Sequence, residues 1–272
     1  MSKIKRALIS VSDKTGIQNL AKTLTDNGIE IISTGGTAQK IKEAGIKVTN
    51  ITDVTGFPEM MEGRVKTLHP KIHGGILARR NIDSDLEELD KLDIKAIDLI
   101  VCNLYPFAQT IEKEDVDLNQ VLENIDIGGP TMIRAAAKNF PDVLVVVDPL
   151  DYDLIAKKID LNERIDKEFR MKMAYKAFNH TAEYDAVIQE YFFNNLNDQA
   201  EFPDTFITPY YKKQELRYGE NPHQKAAFYK ERKVQEPSIT DAKKLSGKAL
   251  SFNNINDTNG ALELIKEFRN QP

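Results

Sequence analysis

A turn rich in glycine and hydroxyl residues is the first place where this chain could do chemistry. It reads Ser33-Thr-Gly-Gly-Thr37, and it follows a predicted strand and opens a predicted helix. Two glycines let a phosphate approach the backbone closely, and the free N–H groups and dipole of a helix start favour its charge. The hydroxyls of Ser33, Thr34 and Thr37 would add donors. A plain strand-to-helix turn explains the same residues equally well.

A second stretch, Ser10-Val-Ser-Asp-Lys-Thr-Gly16, follows the first predicted strand. Open α/β sheets bind ligands at the carboxyl ends of their strands, so we expect Lys14 and Ser12 to reach the anion on the glycine turn. The alternative is that Asp13 or Thr15 only caps the first helix. Both can hold, because capping does not occupy Lys14.

A third stretch, Gly63-Arg-Val-Lys-Thr-Leu-His69, carries two cations two residues apart. In an extended segment Arg64 and Lys66 point the same way, and they suit an anionic substrate or an oxygen that gains charge during a reaction. A solvated pair of surface charges is the alternative. His69 and His73 are separated by Pro70 and lack the glutamate of a zinc-protease helix, so we predict no metal site.

A fourth group combines a tyrosine, a carboxylate and a lysine. Tyr105 follows a buried strand in Asn103-Leu-Tyr-Pro106, which would bring its hydroxyl to the ligand edge of the sheet. Asp126 precedes two glycines at a helix start, and Lys138 lies near the end of that helix. Structural roles explain each of them as well: Asp126 as a helix cap, Lys138 as an offset to the helix dipole, and Tyr105 as a wedge against Pro106.

Alternating strands and helices would position these groups. Short apolar runs predict strands over residues 5–11, 29–33 and 46–51, with helices between them that end at Gly28 and Gly45. Further strands are predicted over 97–104 and 143–147, and an alanine-rich helix lies between them over 126–139. This order predicts an α/β fold, with a parallel sheet and helices on both faces.

Three other regions complete the predicted organisation. Residues 53–75 contain four glycines and two prolines, which predicts a long functional loop. Residues 163–195 predict one or two long helices. A polar run that Pro203 ends predicts a boundary between a first domain, 1–198, and a second, 199–272.

Composition excludes several classes of protein. Hydrophobic residues make up 41% and charged residues 29% of 272, an ordinary globular balance. The net charge of −5 gives no reason to expect nucleic-acid binding. The apolar run Ala7–Ile9 is too short for a signal peptide or a membrane span. With one cysteine, Cys102, no internal disulfide can form, which fits a reducing compartment. Together, these properties predict a cytoplasmic protein without nucleic-acid or membrane partners.

Taken together, these stretches resemble the bifunctional AICAR transformylase/IMP cyclohydrolase family of purine synthesis. The motifs occur in the family's order over residues 5–195. Besides the stretches above, they include Gly56-Phe-Pro-Glu-Met60, Cys102-Asn-Leu-Tyr-Pro-Phe107, Asp126-Ile-Gly-Gly129 and Arg134-Ala-Ala-Ala-Lys-Asn139. The family's first domain resembles methylglyoxal synthase in fold, which implies the same parallel sheet with flanking helices here.

The resemblance implies an IMP cyclohydrolase, which closes the ring of 5-formamidoimidazole-4-carboxamide ribotide with loss of water and needs no metal or cofactor. It assigns Lys66 to the formyl oxygen, Tyr105 to orientation of the formyl group, and Asp126 with Lys138 to proton transfer. The phosphate would lie on Ser12, Lys14, Ser33, Thr34, Gly35, Gly36 and Thr37. The base pocket would be lined by Arg64, Thr67, Asn103, Ile127, Gly128 and Gly129.

Past the boundary, the chain resembles the opening of the family's transformylase domain. The matching stretches are Leu216-Arg-Tyr-Gly-Glu-Asn-Pro-His-Gln224 and Leu245-Ser-Gly-Lys-Ala-Leu-Ser-Phe-Asn-Asn-Ile-Asn-Asp257, and the matching site residues are Arg217, Tyr218, Asn221 and His223. The family's Lys-His pair for formyl transfer does not occur before Pro272. We therefore expect a truncated, cytidine-deaminase-like domain without transformylase activity. The resemblance implies 10-formyltetrahydrofolate and a homodimer only for the full-length family.

Other functions fit the same fold. A non-catalytic nucleotide-sensing module would use the glycine turn but would leave Lys66, Tyr105, Asp126 and Lys138 without a purpose. Methylglyoxal synthase shares the phosphate cradle, but the Arg-Val-Lys-Thr-Leu-His-Pro stretch and the helices after residue 150 argue against it. A dinucleotide oxidoreductase is disfavoured, because Thr34-Gly-Gly-Thr37 lacks the three-glycine fingerprint.

Overall fold

The computed structural model describes residues 4–196, 201–234 and 236–268. Contacts within the chain divide it into two compact units, Met1–Asn195 and Leu196–Pro272. The predicted functional division at residues 198 and 199 stays a prediction.

The first unit is built on a parallel sheet. Its five strands are β1 (Arg6–Val11), β2 (Glu30–Ser33), β3 (Thr49–Asn50), β4 (Leu99–Asn103) and β5 (Leu144–Val146). They lie in the order β3-β2-β1-β4-β5, and every neighbouring pair is parallel. The outer strands are short, with two residues in β3 and three in β5. Strand order reverses between β1 and β4, which is where such sheets bind ligands.

Ten helices of the first unit are described. They are α1 (Ile17–Asp26), α2 (Gly35–Glu43), α3 (Ile51–Thr55), α4 (Pro70–Leu77), α5 (Asp83–Lys91), α6 (Phe107–Ile111), α7 (Leu118–Glu123), α8 (Gly128–Lys138), α9 (Tyr152–Asp160) and α10 (Lys167–Asn194). Short 3₁₀ turns cover Met61–Gly63 and Pro149–Asp151. None of the described helices combines the length and the apolar content that a membrane crossing requires.

Two apolar cores lie against the two faces of the sheet. Because side chains alternate along a strand, Leu8 and Ile100 belong to one core, which α4 and α8 help to form. Ile9 and Val101 belong to the other core, which α1 and α9 help to form. A parallel sheet covered on both sides accounts for the nearly continuous apolar runs in the sequence. The prediction of a parallel sheet with helices on both faces is confirmed.

Two predicted elements were wrong in detail. The strand expected over 46–51 shrinks to β3, because Asn50 and Asp53 form a capping box that starts α3 at Ile51. The long loop expected over 53–75 contains α4. That helix has proline at its first position, and the His69 ring nitrogen Nδ1 accepts a hydrogen bond from Lys71 N at 3.1 Å. His69 is therefore a helix cap.

The second unit pairs a hairpin with a helix. Strands β6 (Tyr210–Glu215) and β7 (Ala227–Glu231) are antiparallel, and α11 (Phe252–Lys266) follows with a capping box at Ser251. The guanidinium of Arg217 lies 4.9 Å from the ring centre of Tyr218, and Asn221 and His223 are exposed. The expected likeness of this unit to cytidine deaminases stays a prediction.

Candidate active site

A cavity of about 590 Å³ opens at the carboxyl ends of β1, β2 and β4. Its walls bring together segments that are more than one hundred residues apart in the sequence, because parallel strands end at the same edge of the sheet. The predicted residues that line it are Ser12, Lys14, Thr34, Gly35, Gly36, Thr37, Arg64, Lys66, Thr67, Asn103, Tyr105, Asp126, Ile127, Gly128 and Gly129. Of the residues predicted for ring closure and ribotide binding, it does not include Ser33 and Lys138.

One end of the cavity is electropositive. Helix α2 begins at Gly35, so the N–H groups of its first turn have no partner within the helix. A Cβ added to Gly36 would lie 3.7 Å from Lys14 Cε, and one added to Gly35 would lie 3.9 Å from Lys66 Nζ. Two ammonium side chains therefore flank the helix start, where the dipole also favours an anion.

The hydroxyls near this helix start have different roles. Ser33 is fully buried and its Oγ donates to Ile9 O at 2.7 Å, so the structure corrects its expected place in the phosphate cradle. Thr37 lines the cavity, but its Oγ1 accepts from Val11 N at 3.1 Å and donates to Val11 O at 2.9 Å. Both side chains fasten the turn to β1. Thr34 and Ser12 are the cradle hydroxyls without such a bond among the described residues.

The Asn103 amide shapes the neighbouring loop. Its Oδ1 accepts hydrogen bonds from Ser12 N at 2.7 Å and Asp13 N at 2.9 Å, and its Nδ2 donates to Asp13 O at 3.0 Å. The Asp13 carboxylate in turn accepts a hydrogen bond from Thr15 N at 2.9 Å. Hydrogen bonds from the side chain and the backbone of Thr15 lower the pKa of Asp13. Asn103 thus holds the loop that carries Lys14, a role in addition to lining the cavity.

A tight loop carries Lys66 and Arg64 to the cavity. Met60 and Val65 form an antiparallel bridge, and the first three of the four residues between them, Met61–Gly63, have positive φ, at 52°, 57° and 90°. Non-glycine residues rarely adopt this conformation, and each such residue costs on the order of 1 kcal/mol. The strain is located beside Lys66, whose Nζ would lie 3.5 Å from a Cβ on Gly63.

Acidic residues that were not among the predicted site residues surround these cations. The Arg64 guanidinium pairs with Glu123, and the two side chains are 65% and 56% exposed. Such an exposed pair stabilises little, so Arg64 lies at the rim with a weakly held partner. Glu59 Oε2 would be 3.4 Å from a Cβ on Gly63, which puts this carboxylate near Lys66. Only the tertiary fold reveals these neighbours.

Asp126 contributes a carboxylate to the wall of the same cavity. Its Oδ1 accepts a hydrogen bond from Gly129 N at 2.8 Å, at the start of α8. Burial raises the pKa of this carboxyl group, and the Gly129 N–H and the positive charge of Lys66 offset only part of that effect. A carboxyl group with a raised pKa beside a cation suits proton transfer.

Tyr105 lines the same cavity. The residue is 40% exposed, and it is the second residue after the end of β4. Burial, together with the negative charge of Asp126, raises the pKa of its hydroxyl. The phenol therefore stays protonated at neutral pH and can donate a hydrogen bond. Apolar residues missed by the sequence analysis complete this wall: Leu122, Ile125 and Met132.

The structure does not bring Lys138 into the cavity. Gly128 and Lys138 are the first and last residues of α8, and an eleven-residue helix separates its ends by roughly 15 Å. Lys138 instead lines a different cavity with Asn139 and Asp142. The proton-transfer role expected for it is therefore corrected for a single copy of the chain. In the described part of the chain, no three His, Cys, Asp or Glu side chains cluster as a metal site.

Known proteins similar to this chain agree on one family. Residues 136–272 match the family model described as AICARFT/IMPCHase bienzyme, and residues 16–131 match the MGS-like domain. The chain is 57% identical over 265 residues to the bifunctional purine biosynthesis protein PurH of Acetivibrio thermocellus, a match over 97% of this chain and 51% of that protein. The PurH protein of Ruminiclostridium cellulolyticum is 54% identical, with the same coverage.

A solved structure extends the comparison to the fold. It is described as the crystal structure of ForH, and it is 38% identical with a TM-score of 0.63. The match covers 69% of this chain and 96% of that one. In contrast, the chain spans about half the length of the curated relatives it matches.

Proposed function

The chain belongs to the AICARFT/IMPCHase bienzyme family, and we propose that its first unit is an IMP cyclohydrolase. It would close the ring of 5-formamidoimidazole-4-carboxamide ribotide to give IMP and water. One observation carries the proposal: an anion-binding helix start, Lys66, Tyr105 and Asp126 all line a single cavity. The roles proposed for these residues follow from their chemistry.

The electropositive end would bind the ribotide phosphate. Free N–H groups at the start of α2, the hydroxyls of Ser12 and Thr34, and the ammonium of Lys14 supply donors and charge. The imidazole and its two amide substituents would then extend towards Asp126. This orientation is supported by the distribution of charge, since Lys14 lies beside the glycine turn, whereas the half-buried carboxyl group of Asp126 lies at the start of α8.

Ring closure replaces the C=O bond of the formyl group by a new C–N bond and a C=N bond within the same substrate. The carboxamide nitrogen attacks the formyl carbon, and the formyl oxygen leaves as water. That water takes one proton from the carboxamide nitrogen and one from the formamide nitrogen. Because an amide nitrogen is a weak nucleophile, the cavity must hold the two groups in contact and stabilise the oxygen that gains charge.

Asp126 is the proposed acceptor of the carboxamide proton. Its raised pKa brings it closer to the substrate amide in basicity than an ordinary carboxylate. The ammonium of Lys66 and the hydroxyl of Tyr105 are the proposed donors to the formyl oxygen. No step is assigned to Lys138, which lies outside the cavity.

The sensing alternative is not favoured. A regulatory module would need the glycine turn but not an acid, a phenol and a second lysine in the same cavity. The curated relatives that cover 97% of this chain are named as purine biosynthesis proteins. Their names support catalysis rather than sensing.

The remaining properties belong to the whole bienzyme. We propose that formyl transfer, with 10-formyltetrahydrofolate as the donor, is an activity of the full-length protein, as is formation of a homodimer. The residues matched to that activity, Arg217, Tyr218, Asn221 and His223, are in the second unit. Cytoplasmic location is part of the same proposal, and the unpaired Cys102 supports it.

The test is a turnover assay on the purified chain with the synthetic formyl ribotide, followed by detection of IMP. Ring closure should be fast in the wild-type chain and should fall to background in Asp126→Asn, which keeps the shape of the side chain but removes the base. Tight binding of the ribotide without any turnover in the wild-type chain would overturn the proposed enzymatic function and favour a nucleotide-sensing module.

A further inference from the structure

Tyr184 lies behind the cavity rather than in its wall. It is a residue of α10, about sixty positions after the segment that joins α7 to α8, and its side chain is only 9% exposed. The ring packs edge-on against Phe107, with 6.2 Å between the ring centres and 71° between the planes. The tyrosine is thus held firmly against the segments that carry Tyr105 and Asp126.

The hydroxyl of Tyr184 makes two hydrogen bonds to the backbone of the segment leading into α8. It accepts from Asp126 N at 2.8 Å and donates to Asn124 O at 2.9 Å. Donation requires the protonated phenol. Burial raises its pKa to about 12, so the hydroxyl is protonated throughout the pH range in which enzymes work.

Asp126 is therefore anchored at two points. The N–H of Gly129 holds the carboxylate from the side of α8, and the hydroxyl of Tyr184 holds the main chain from the side of α10. Fixing both the backbone and one carboxylate oxygen sets the direction of the other oxygen, Oδ2. A catalytic group must be held within about 0.5 Å of its productive position, and this usually requires a second layer of hydrogen bonds.

We propose that Tyr184 is a positioning residue for ring closure, acting through the main chain of Asp126. The inference rests on the proposed function, since it names the group that orients the proposed base. Tyr184 touches neither the cavity nor the proposed phosphate cradle, so its removal should impair the chemical step more than substrate binding.

The test variant is Tyr184→Phe, which keeps the ring and its contact with Phe107 and removes only the hydroxyl. Tyr191→Phe is the matched control. Tyr191 is in the same helix and also places its ring edge-on against Phe107, at 5.9 Å and 88°. Among the described residues, the tyrosine hydroxyl that bonds to the backbone of Asn124 and Asp126 is that of Tyr184. Tyr191→Phe therefore leaves these two hydrogen bonds in place.

The first readout is amide hydrogen exchange, which does not depend on activity. In Tyr184→Phe the amide of Asp126 loses its acceptor, and we expect its exchange, with that of Gly129, to be about tenfold faster or more. Amides in the centre of β4 should be unchanged, which separates this local effect from general loosening. Thermal unfolding of both variants checks that they are folded.

The second readout is the division between kcat and KM. We expect kcat to fall by about tenfold or more in Tyr184→Phe while KM changes less than about twofold, since only the positioning of the base is impaired. Tyr191→Phe should match the wild type in both. Unchanged exchange at Asp126, or faster exchange with a wild-type kcat, would overturn the role of Tyr184. An inactive wild-type chain would instead refute the proposed function.

Discussion

The carboxylate of Asp126 occupies the space that a side chain on Gly129 would need. A Cβ added to Gly129 would lie 2.5 Å from Asp126 Oδ2 and 2.7 Å from Leu104 Cδ2. The N–H of the same glycine donates to the other carboxylate oxygen at 2.8 Å. The two residues form one unit, in which the absence of a side chain lets the acid lie over the start of α8.

We therefore expect Gly129→Ala to displace the carboxylate. Overpacking of this kind costs about 1–3 kcal/mol of unfolding free energy, and ring closure should fall with it because the base moves. Gly260→Ala is the control, since nothing lies within 4 Å of a Cβ there. Chemical denaturation and turnover assays measure both effects. A Gly129→Ala chain with wild-type stability and turnover would contradict this arrangement.

Replacement of Lys66 should affect the chemical step. In Lys66→Ala the formyl oxygen loses a preorganised cation, and turnover should fall by about a hundredfold or more. Lys40→Ala is the matched control, because Lys40 is exposed on α2 and pairs only weakly with Glu43. Steady-state kinetics on the formyl ribotide measure the change. Ring closure at the wild-type rate in Lys66→Ala would remove this lysine from the mechanism.

Replacement of Lys14 should instead affect affinity. Hydrogen bonds to charged groups contribute about 1.5–3 kcal/mol, so Lys14→Ala should bind IMP at least tenfold more weakly. Lys22→Ala removes an exposed lysine of α1 that pairs with Asp26, and its affinity should be unchanged. Calorimetric titration with IMP and with its dephosphorylated nucleoside separates the phosphate contribution. Equal losses for both ligands would place the phosphate elsewhere.

The raised pKa of Asp126 predicts opposite effects on stability and activity. A carboxyl group whose folded pKa is raised stabilises the fold below its unfolded pKa, and this contribution is lost as pH rises through the folded pKa. Asp126→Asn should therefore be more stable than the wild type at neutral pH. The difference in stability should grow as pH rises from the unfolded pKa of Asp126 through its folded pKa. The variant should also be inactive.

The control for this prediction is Asp13→Asn. Hydrogen bonds from Thr15 lower the pKa of Asp13, so its ionised form is the favoured one in the folded chain. Its replacement should give no gain in stability at neutral pH. Thermal unfolding of the three chains across pH measures both effects. If Asp13→Asn alone were more stable than the wild type, the raised pKa would belong to Asp13 and not to Asp126.

Local patterns were sufficient to predict most of the first unit. The strand β1, the helix α8 and the glycine turn follow from apolar periodicity and from residues with strong local preferences. The errors also have local explanations. Asn50 and Asp53 form a capping box, and Pro70 after His69 is a typical helix start, so both α3 and α4 had signals in the sequence.

The site could be predicted only in part. Helical rise alone shows that Lys138 and Asp126 of one chain are too far apart to share a proton, because α8 lies between them. Ser33 is different, since its hydroxyl is taken by Ile9 across the sheet and no local pattern reveals that bond. The contact of Tyr184 with Asp126 joins residues fifty-eight positions apart, and only the packing of α10 creates it.

The short outer strands have a consequence for the behaviour of concentrated protein. Unpaired N–H and C=O groups along a sheet margin are templates on which strands of other molecules can add. With two residues in β3 and three in β5, the sheet of the first unit offers very little of this template. The sheet of the first unit should therefore resist edge-to-edge polymerisation even when the protein is crowded.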